Sequence, residues 1–310
     1  MPETKPAAPG KYIDPLVDFA FKKIFGSEPN KDLLIAFLNE VFRGRKHIID
    51  LVYNKNEHHG DIKDEGAAIF DLLCTGDNGE QFLIEVQRGR QGNFKERALF
   101  YTSRLISDQA PRGRRSEWAY NLTEVYLVAL LEDFTLQISP GKEYLHDICL
   151  CNRETGEIFY NKLGYIYLEL SKFVKEDTEL ETDLDKWLYI LKNMSRMDKI
   201  PMYLRKPIFE KLFSIAEYTN LTKEEKTMYD SSMKYKWDNK NVLDYALKEG
   251  MEKGMEKGIE KGMKKGLKKG IEKGKFEKAV AIAREMKKDG LPLIQISKFT
   301  ELSIEEIEKL

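Results

Sequence analysis

The sequence predicts an α/β fold, and three observations lead there. Two short apolar runs flank a Gly-Asp-Asn-Gly turn within Ile69 to Gln87 and read as a β-hairpin. The run VYLVALL, Val125 to Leu131, has the continuous apolar character of a strand buried on both faces, and a helical segment precedes it. From about Thr178 the apolar spacing turns helical, and the chain closes with a Gly-rich repeat and short helical segments. A length of 310 residues with 42% apolar content supports a real core in one large or two smaller units.

The elements follow in order. Residues 1–11, rich in Pro and small side chains, are expected to be disordered. Asp14-Pro15 opens a helix, with Pro suited to its first turn. Phe19, Phe21 and Phe25, then Leu33, Leu34, Phe37, Leu38 and Val41, mark two apolar faces at helical spacing, separated by Gly26-Ser27-Glu28-Pro29. Ile48 to Lys55 reads as a strand and Asn56 to Glu65 as a polar loop, ahead of the hairpin. Phe94 to Ser107 is a helix, Pro111 to Arg115 a basic loop, and Gly164 to Ser171 a further strand. Leu184, Trp187, Leu188 and Leu191 form one helical stripe, and Ile208, Leu212, Ile215 and Ala216 another. Thr222 with Glu225 makes a capping box for a helix expected to end near Trp237.

The hairpin carries the chemistry. Its apolar runs are interrupted by Asp71, Glu85 and Gln87. If Thr75 pairs with Gln81, Asp71 falls opposite Glu85, and Glu85 and Gln87 share its face by alternation. Burying a carboxylate is costly unless something compensates it. A hard divalent cation, bound through one or two carboxylates plus water and phosphate, is such a compensation. Polar residues at solvent-facing strand ends are the plainer alternative, which suits Asp71 alone better than the three-residue set.

This set, Asp71…Glu85-x-Gln87, resembles the core of the PD-(D/E)XK nucleases in a variant with Gln in place of the usual Lys. PLVDFAFKKIFG (Pro15 to Gly26) and FKERALFYTSRL (Phe94 to Leu105) are similar to the Rpn subgroup of recombination-promoting nucleases, also labelled transposases, over roughly Tyr12 to Asp244. The resemblance implies a restriction-endonuclease-like αβββαβ core with a mixed central sheet. It also implies divalent-metal-dependent cleavage of DNA, with Mg²⁺ or Mn²⁺ on Asp71 and Glu85. Gln87 then stands where Lys would orient or activate the attacking water, without the charge of Lys. The superfamily often places an acid on its first helix; Asp18 and Glu40 both qualify, and sequence does not choose between them. Lys95, Arg97 and Arg104 on the following helix, and Arg112, Arg114 and Arg115 beyond it, are expected DNA-backbone contacts, Arg97 foremost.

Composition limits other classes. The net charge of −1 combines +5 over Lys248 to Lys275 with −6 elsewhere, so the chain is no uniformly basic nucleic-acid binder. Three cysteines make a poor disulfide framework, and with no secretory signal at the N-terminus a reducing, cytoplasmic setting is expected. His146, Cys149 and Cys151 lack a fourth zinc ligand and read as ordinary strand residues. No apolar run approaches the ~20 residues of a membrane helix.

The expected organisation is a core over 12–176, a helical subdomain over 177–246, a repeat tail over 247–275 and a helical segment over 276–310. In the tail, Gly recurs every fourth residue from Gly250 to Gly274, with an apolar residue after each through Ile271. A period of four advances ~40° per repeat on a helix. Glycines at ~1 kcal/mol each weaken a free-standing helix. The expected order of readings is a helix stabilised by homo-oligomerisation, then a tether, then a basic strap on phosphates. Ser303, with Glu306, caps the last short helix, in what is either a minimal helix-turn-helix or a helical cap. A metal-dependent DNA endonuclease is thus the first functional expectation. A catalytically weak DNA-binding or assembly protein is the alternative.

Overall fold

A computed structural model describes residues 10–54, 57–58, 68–69, 71–89, 92–111, 119–136 and 141–310. Residues 1–9, most of the expected loop Asn56 to Glu65, and Arg112, Arg114 and Arg115 lie outside the described residues. The helices are α1 (Asp18–Phe25), α2 (Lys31–Val41), α3 (Phe94–Asp108), α4 (Asp183–Asn193), α5 (Pro207–Ala216), α6 (Lys223–Lys288), α7 (Leu293–Thr300) and α8 (Ile304–Glu308). The strands are β1 (Leu51–Tyr53), β2 (Glu57–His58), β3 (Ala68–Ile69), β4 (Leu72–Gly76), β5 (Gln81–Gln87), β6 (Val125–Leu131), β7 (Leu145–Cys151) and β8 (Ile158–Glu169).

Six strands form one mixed sheet in the order β1-β4-β5-β6-β8-β7. β1, β4 and β5 make an antiparallel meander; β6 then runs parallel to β5, and β8 parallel to β6. A parallel partner cannot be reached through a tight turn, so α3 supplies the crossover. The run α2-β1-β4-β5-α3-β6 is the expected αβββαβ order. Lying between two parallel neighbours, β6 is buried at every residue. Side-chain alternation divides the sheet between two cores. Phe82, Ile84, Val128 and Ile166 pack with Phe21, Phe25, Phe37, Trp187 and Phe209 of α1, α2, α4 and α5. Leu73, Leu83, Leu127 and Ala129 pack with Phe94, Ala98 and Leu105 of α3 on the opposite face. Gly164 of β8 lies where a Cβ would come 2.8 Å from the buried Tyr126 ring, so only glycine fits there.

Several boundaries differ from expectation. Asp14-Pro15 makes a turn rather than a helix start, because the Asp14 carboxylate and carbonyl accept the Leu16 and Val17 N–H groups. Glu57–His58, expected in a loop, and Ile69, expected in the hairpin, pair with each other in a separate two-stranded ribbon, β2 with β3. β8 begins at Ile158, not Gly164, because its first residues pair with the irregular end of β7. α6 does start at the Thr222–Glu225 capping box, with reciprocal bonds of 2.9 and 3.2 Å, but it runs far beyond Trp237. No Pro occurs between Pro207 and Pro292, and glycine weakens a helix without terminating it. Gly290, at φ +78°, ends α6: Leu291 N–H bonds to the Met286 carbonyl and Gly290 N–H to that of Lys287.

The chain separates into two compact units after Asp238, within α6. The second has its own small core of Ala283, Ile296, Leu302 and Ile307, from the end of α6, α7, the connection after it and α8. The Ser303–Glu306 box caps α8 as expected. No described helix is long and apolar enough to cross a membrane.

Candidate active site

The turn between β4 and β5 sets the site. Gly76 N–H bonds to the Glu80 carbonyl at 2.8 Å, Asn78 N–H to the Glu80 carboxylate at 2.9 Å, and Gly79 takes φ +81°. The ladder then pairs Thr75 with Gln81 and Leu72 with Ile84. One step further, Asp71 stands opposite Glu85, as the sequence arithmetic requires. The two lie together: Asp71 Oδ2 accepts the N–H of Val86, the residue after Glu85, at 2.7 Å, and each carboxylate stands in the other's field.

Glu85 and Gln87 are only 7% and 8% exposed, on the face that α3 covers. Burial, with the Asp71 charge beside it, pushes the Glu85 carboxyl up to about 8 against the pull of Arg97. Burial and the charge of Asp18 raise Asp71 too, opposed by its bond from Val86. Among the described residues, Glu85 Oε1 is buried without a hydrogen-bond partner.

Gln87 is held at both ends. Its Oε1 accepts from the Arg97 guanidinium, and its Nε2 donates to the Gly89 carbonyl at 3.1 Å. Arg97 Nη2 also lies 3.9 Å from Glu85 Oε2, and the guanidinium sits over the Phe94 and Tyr101 rings. Arg97 is therefore part of the acid pair's surroundings. Lys95, two residues away and so ~200° around the helix, is exposed on another face. Arg104, two turns on from Arg97, is half-buried.

Tertiary structure separates the two first-helix acids. The charges of Asp18 and Lys22, an ion pair at 2.9 Å on α1, act on Asp71. Glu40 on α2 is raised by burial and by Asp183, with Lys206 opposing, and belongs to the α4–α5 side. Asp18 still does not complete a cluster: among the described residues, no three His, Cys, Asp or Glu side chains are grouped to hold a metal ion. The pair nonetheless fits a divalent cation, since Glu85 presents a buried oxygen without a partner beside a second carboxylate. The remaining ligands would be water and substrate oxygens. His146 is buried 3.4 Å from Glu169, outside any zinc set.

A supporting network behind Gln87 escaped the sequence reading. Arg88 Nε donates to the Leu16 carbonyl at 3.0 Å and lies 3.4 Å from Glu132. Lys236 of α6 bridges Glu132 and Asp14. The available signal was position: Arg88 and Glu132 directly follow the ends of two parallel strands, where α/β sheets gather functional groups.

A family model described as PD-(D/E)XK nuclease family transposase matches residues 15–246. No curated protein and no solved structure gives a significant match.

Proposed function

The chain belongs to the PD-(D/E)XK nuclease family of transposases, and from that premise we propose that it is a metal-dependent endonuclease hydrolysing DNA phosphodiester bonds. The observation that carries this reading is the adjacent Asp71 and Glu85 carboxylates, Asp71 tied to the Val86 N–H, with a buried, unpartnered Glu85 oxygen. Asp71 and Glu85 would hold Mg²⁺ or Mn²⁺, which when bound activates a water and neutralises charge at the attacked phosphate. Gln87, fixed between Arg97 and Gly89, orients the water through its amide. Arg97 supplies, from α3, the positive charge that Gln87 lacks, and stabilises charge developing on the phosphate. Asp18 sets the local field from α1. Lys95 and Arg104 would add phosphate contacts, as would Arg112, Arg114 and Arg115. Recombination or mobile-element movement is the cellular setting that fits a family described as a nuclease family transposase.

The test is plasmid cleavage by purified protein in Mg²⁺, Mn²⁺ or chelator, beside Asp71→Ala and Glu85→Ala, with Mg²⁺ binding followed by calorimetry. Metal-dependent cutting and metal binding should both disappear in the variants. Wild-type cleavage by either variant would refute the assignment.

A second reading, assembly through the repeat tail, is favoured by the row of exposed apolar residues on α6 from Met251 to Ile271. Glu305, Glu306 and Glu308 of α8 repel phosphate, so the terminal helices serve better as a helical cap than as a DNA-reading helix-turn-helix. The two readings are compatible.

A further inference from the structure

We propose that Lys236 of α6 is a positioning residue of the candidate active site: through Glu132 and Arg88 it fixes where the chain enters α1, and so where Asp18 stands relative to Asp71. The inference rests on the nuclease reading and adds to it a residue that acts through others.

The first turns of α6 carry a stripe. Glu225, Tyr229 and Lys236 follow one another at steps of four and seven, which puts them within ~40° on the helix. Each holds the chain around α1. Glu225 pairs with Lys23 at 2.5 Å, the Tyr229 hydroxyl accepts the Asp14 N–H at 2.9 Å, and Lys236 Nζ lies 2.6 Å from the Asp14 carboxylate. Lys236 also reaches the Glu132 carboxylate, at 2.5 Å. From Glu132 two routes lead to the site. Along the backbone, the Glu132 N–H donates to the Gln87 carbonyl at 3.0 Å. Through side chains, Glu132 faces Arg88 Nε at 3.4 Å, and Arg88 Nε and Nη2 both donate to the Leu16 carbonyl. Leu16 lies two residues before Asp18, the first residue of α1, and Asp18 and Lys22 are the α1 charges that act on Asp71. Arg88 therefore joins the residue after Gln87 to the entry of the helix that carries Asp18.

The chemistry of this network favours positioning over plain stability. The Asp14, Arg88, Glu132 and Lys236 side chains are 14–24% exposed, so four charges are largely withdrawn from water. Burial raises the Glu132 carboxyl, with Lys236 opposing. Buried ion pairs add little over apolar packing of the same volume, so directional contacts that fix a geometry account better for these four. Their place fits as well, since Arg88 and Glu132 stand just past the ends of the parallel strands β5 and β6, beside Gln87. A catalytic constellation is sensitive to such support: a misplacement of about 1 Å can cost on the order of 10²-fold in rate.

Lys236→Met and Glu132→Gln in the full chain test the proposal; if the first does not fold, the nearly isosteric second carries the test. Ile13, whose N–H bonds to the Ala216 carbonyl at 2.8 Å, still anchors the chain ahead of α1 in both. Hydrogen exchange, followed in chelator and without DNA, should quicken at least tenfold in the α1 amides and stay as in wild type in those of α4. In plasmid cleavage with Mg²⁺, kcat should fall at least tenfold while KM is unchanged, and Lys236→Arg, which keeps the charge, should regain most of the rate. Unaltered α1 exchange in a folded variant overturns the proposal, and so does wild-type kcat. Protection lost equally in α1 and α4 also overturns it, making Lys236 a stability residue. A wild type that neither binds Mg²⁺ nor cuts refutes the nuclease reading instead, and the exchange pattern then decides the positioning of α1 by itself.

Discussion

Replacing Glu85 by Gln tests whether the acid pair is a binding site held at the expense of stability. The Glu85 carboxyl is displaced from its ordinary 4.5 to about 8 by burial and by Asp71. Between those values the folded chain keeps a proton that the unfolded chain has released, so stability falls as pH rises through that window. At 1.36 kcal/mol per pH unit the loss has a ceiling of about 5 kcal/mol above pH 8. Part of that cost is shared with Asp71, itself raised, so we set the expected gain from Glu85→Gln at about 2–3 kcal/mol at pH 8. The amide keeps the shape of the side chain and removes its charge. Urea unfolding of both proteins in chelator, from pH 5.5 to 8.5, reads the difference directly. The wild type should lose stability relative to the variant across this range. Added Mg²⁺ should stabilise the wild type alone, by mass action on the folded state. A variant less stable than wild type at pH 8 would refute the reasoning, since Glu85 would then be a structural anion.

Arg97→Met should leave the fold intact by circular dichroism and lower the cleavage rate by on the order of 10²-fold, the usual cost of removing one charge-stabilising donor; unchanged cleavage would remove Arg97 from the site. Asp185→Asn should cost about 2 kcal/mol in urea unfolding at pH 7. Burial alone would raise this carboxyl, but bonds from Thr182, Lys175 and Tyr144 outweigh it and hold it down to about 2. Its contribution is present above the unfolded value of 3.8 and should fade as pH falls toward 2. Gly164→Ala should destabilise by about 1–3 kcal/mol, since the new methyl meets a buried ring with no room to turn. A neutral Gly164→Ala by thermal melting would mean that Tyr126 has slack.

Local rules carried the sequence a long way. The hairpin register was legible because a tight turn and strict alternation bind Thr75 to Gln81 without help from the rest of the chain. The same holds for β6, whose seven apolar residues match its bounds, and for the Ser303 and Thr222 caps, which need only residues three apart. Acids on a strand pair could therefore be placed opposite each other before any tertiary contact was known.

What remained undecided in sequence was everything that depends on two elements meeting. Asp18 and Glu40 are equivalent as acids on early helices; only the packing of α1 beside the strand ends, and of α2 against α4 and α5, tells them apart. Arg97 reads as the foremost DNA-backbone cation of its helix, but only the crossing of α3 over the sheet brings its guanidinium to Gln87. The length of α6 also exceeds what propensity suggests, because glycine lowers helix stability in small increments while only Pro or a capping geometry stops the ladder. Sequence determined the pair of carboxylates and their register, since both arise from short-range geometry. Tertiary structure decided their burial, their field and the cation beside them, since desolvation and charge act through space between residues far apart in the chain.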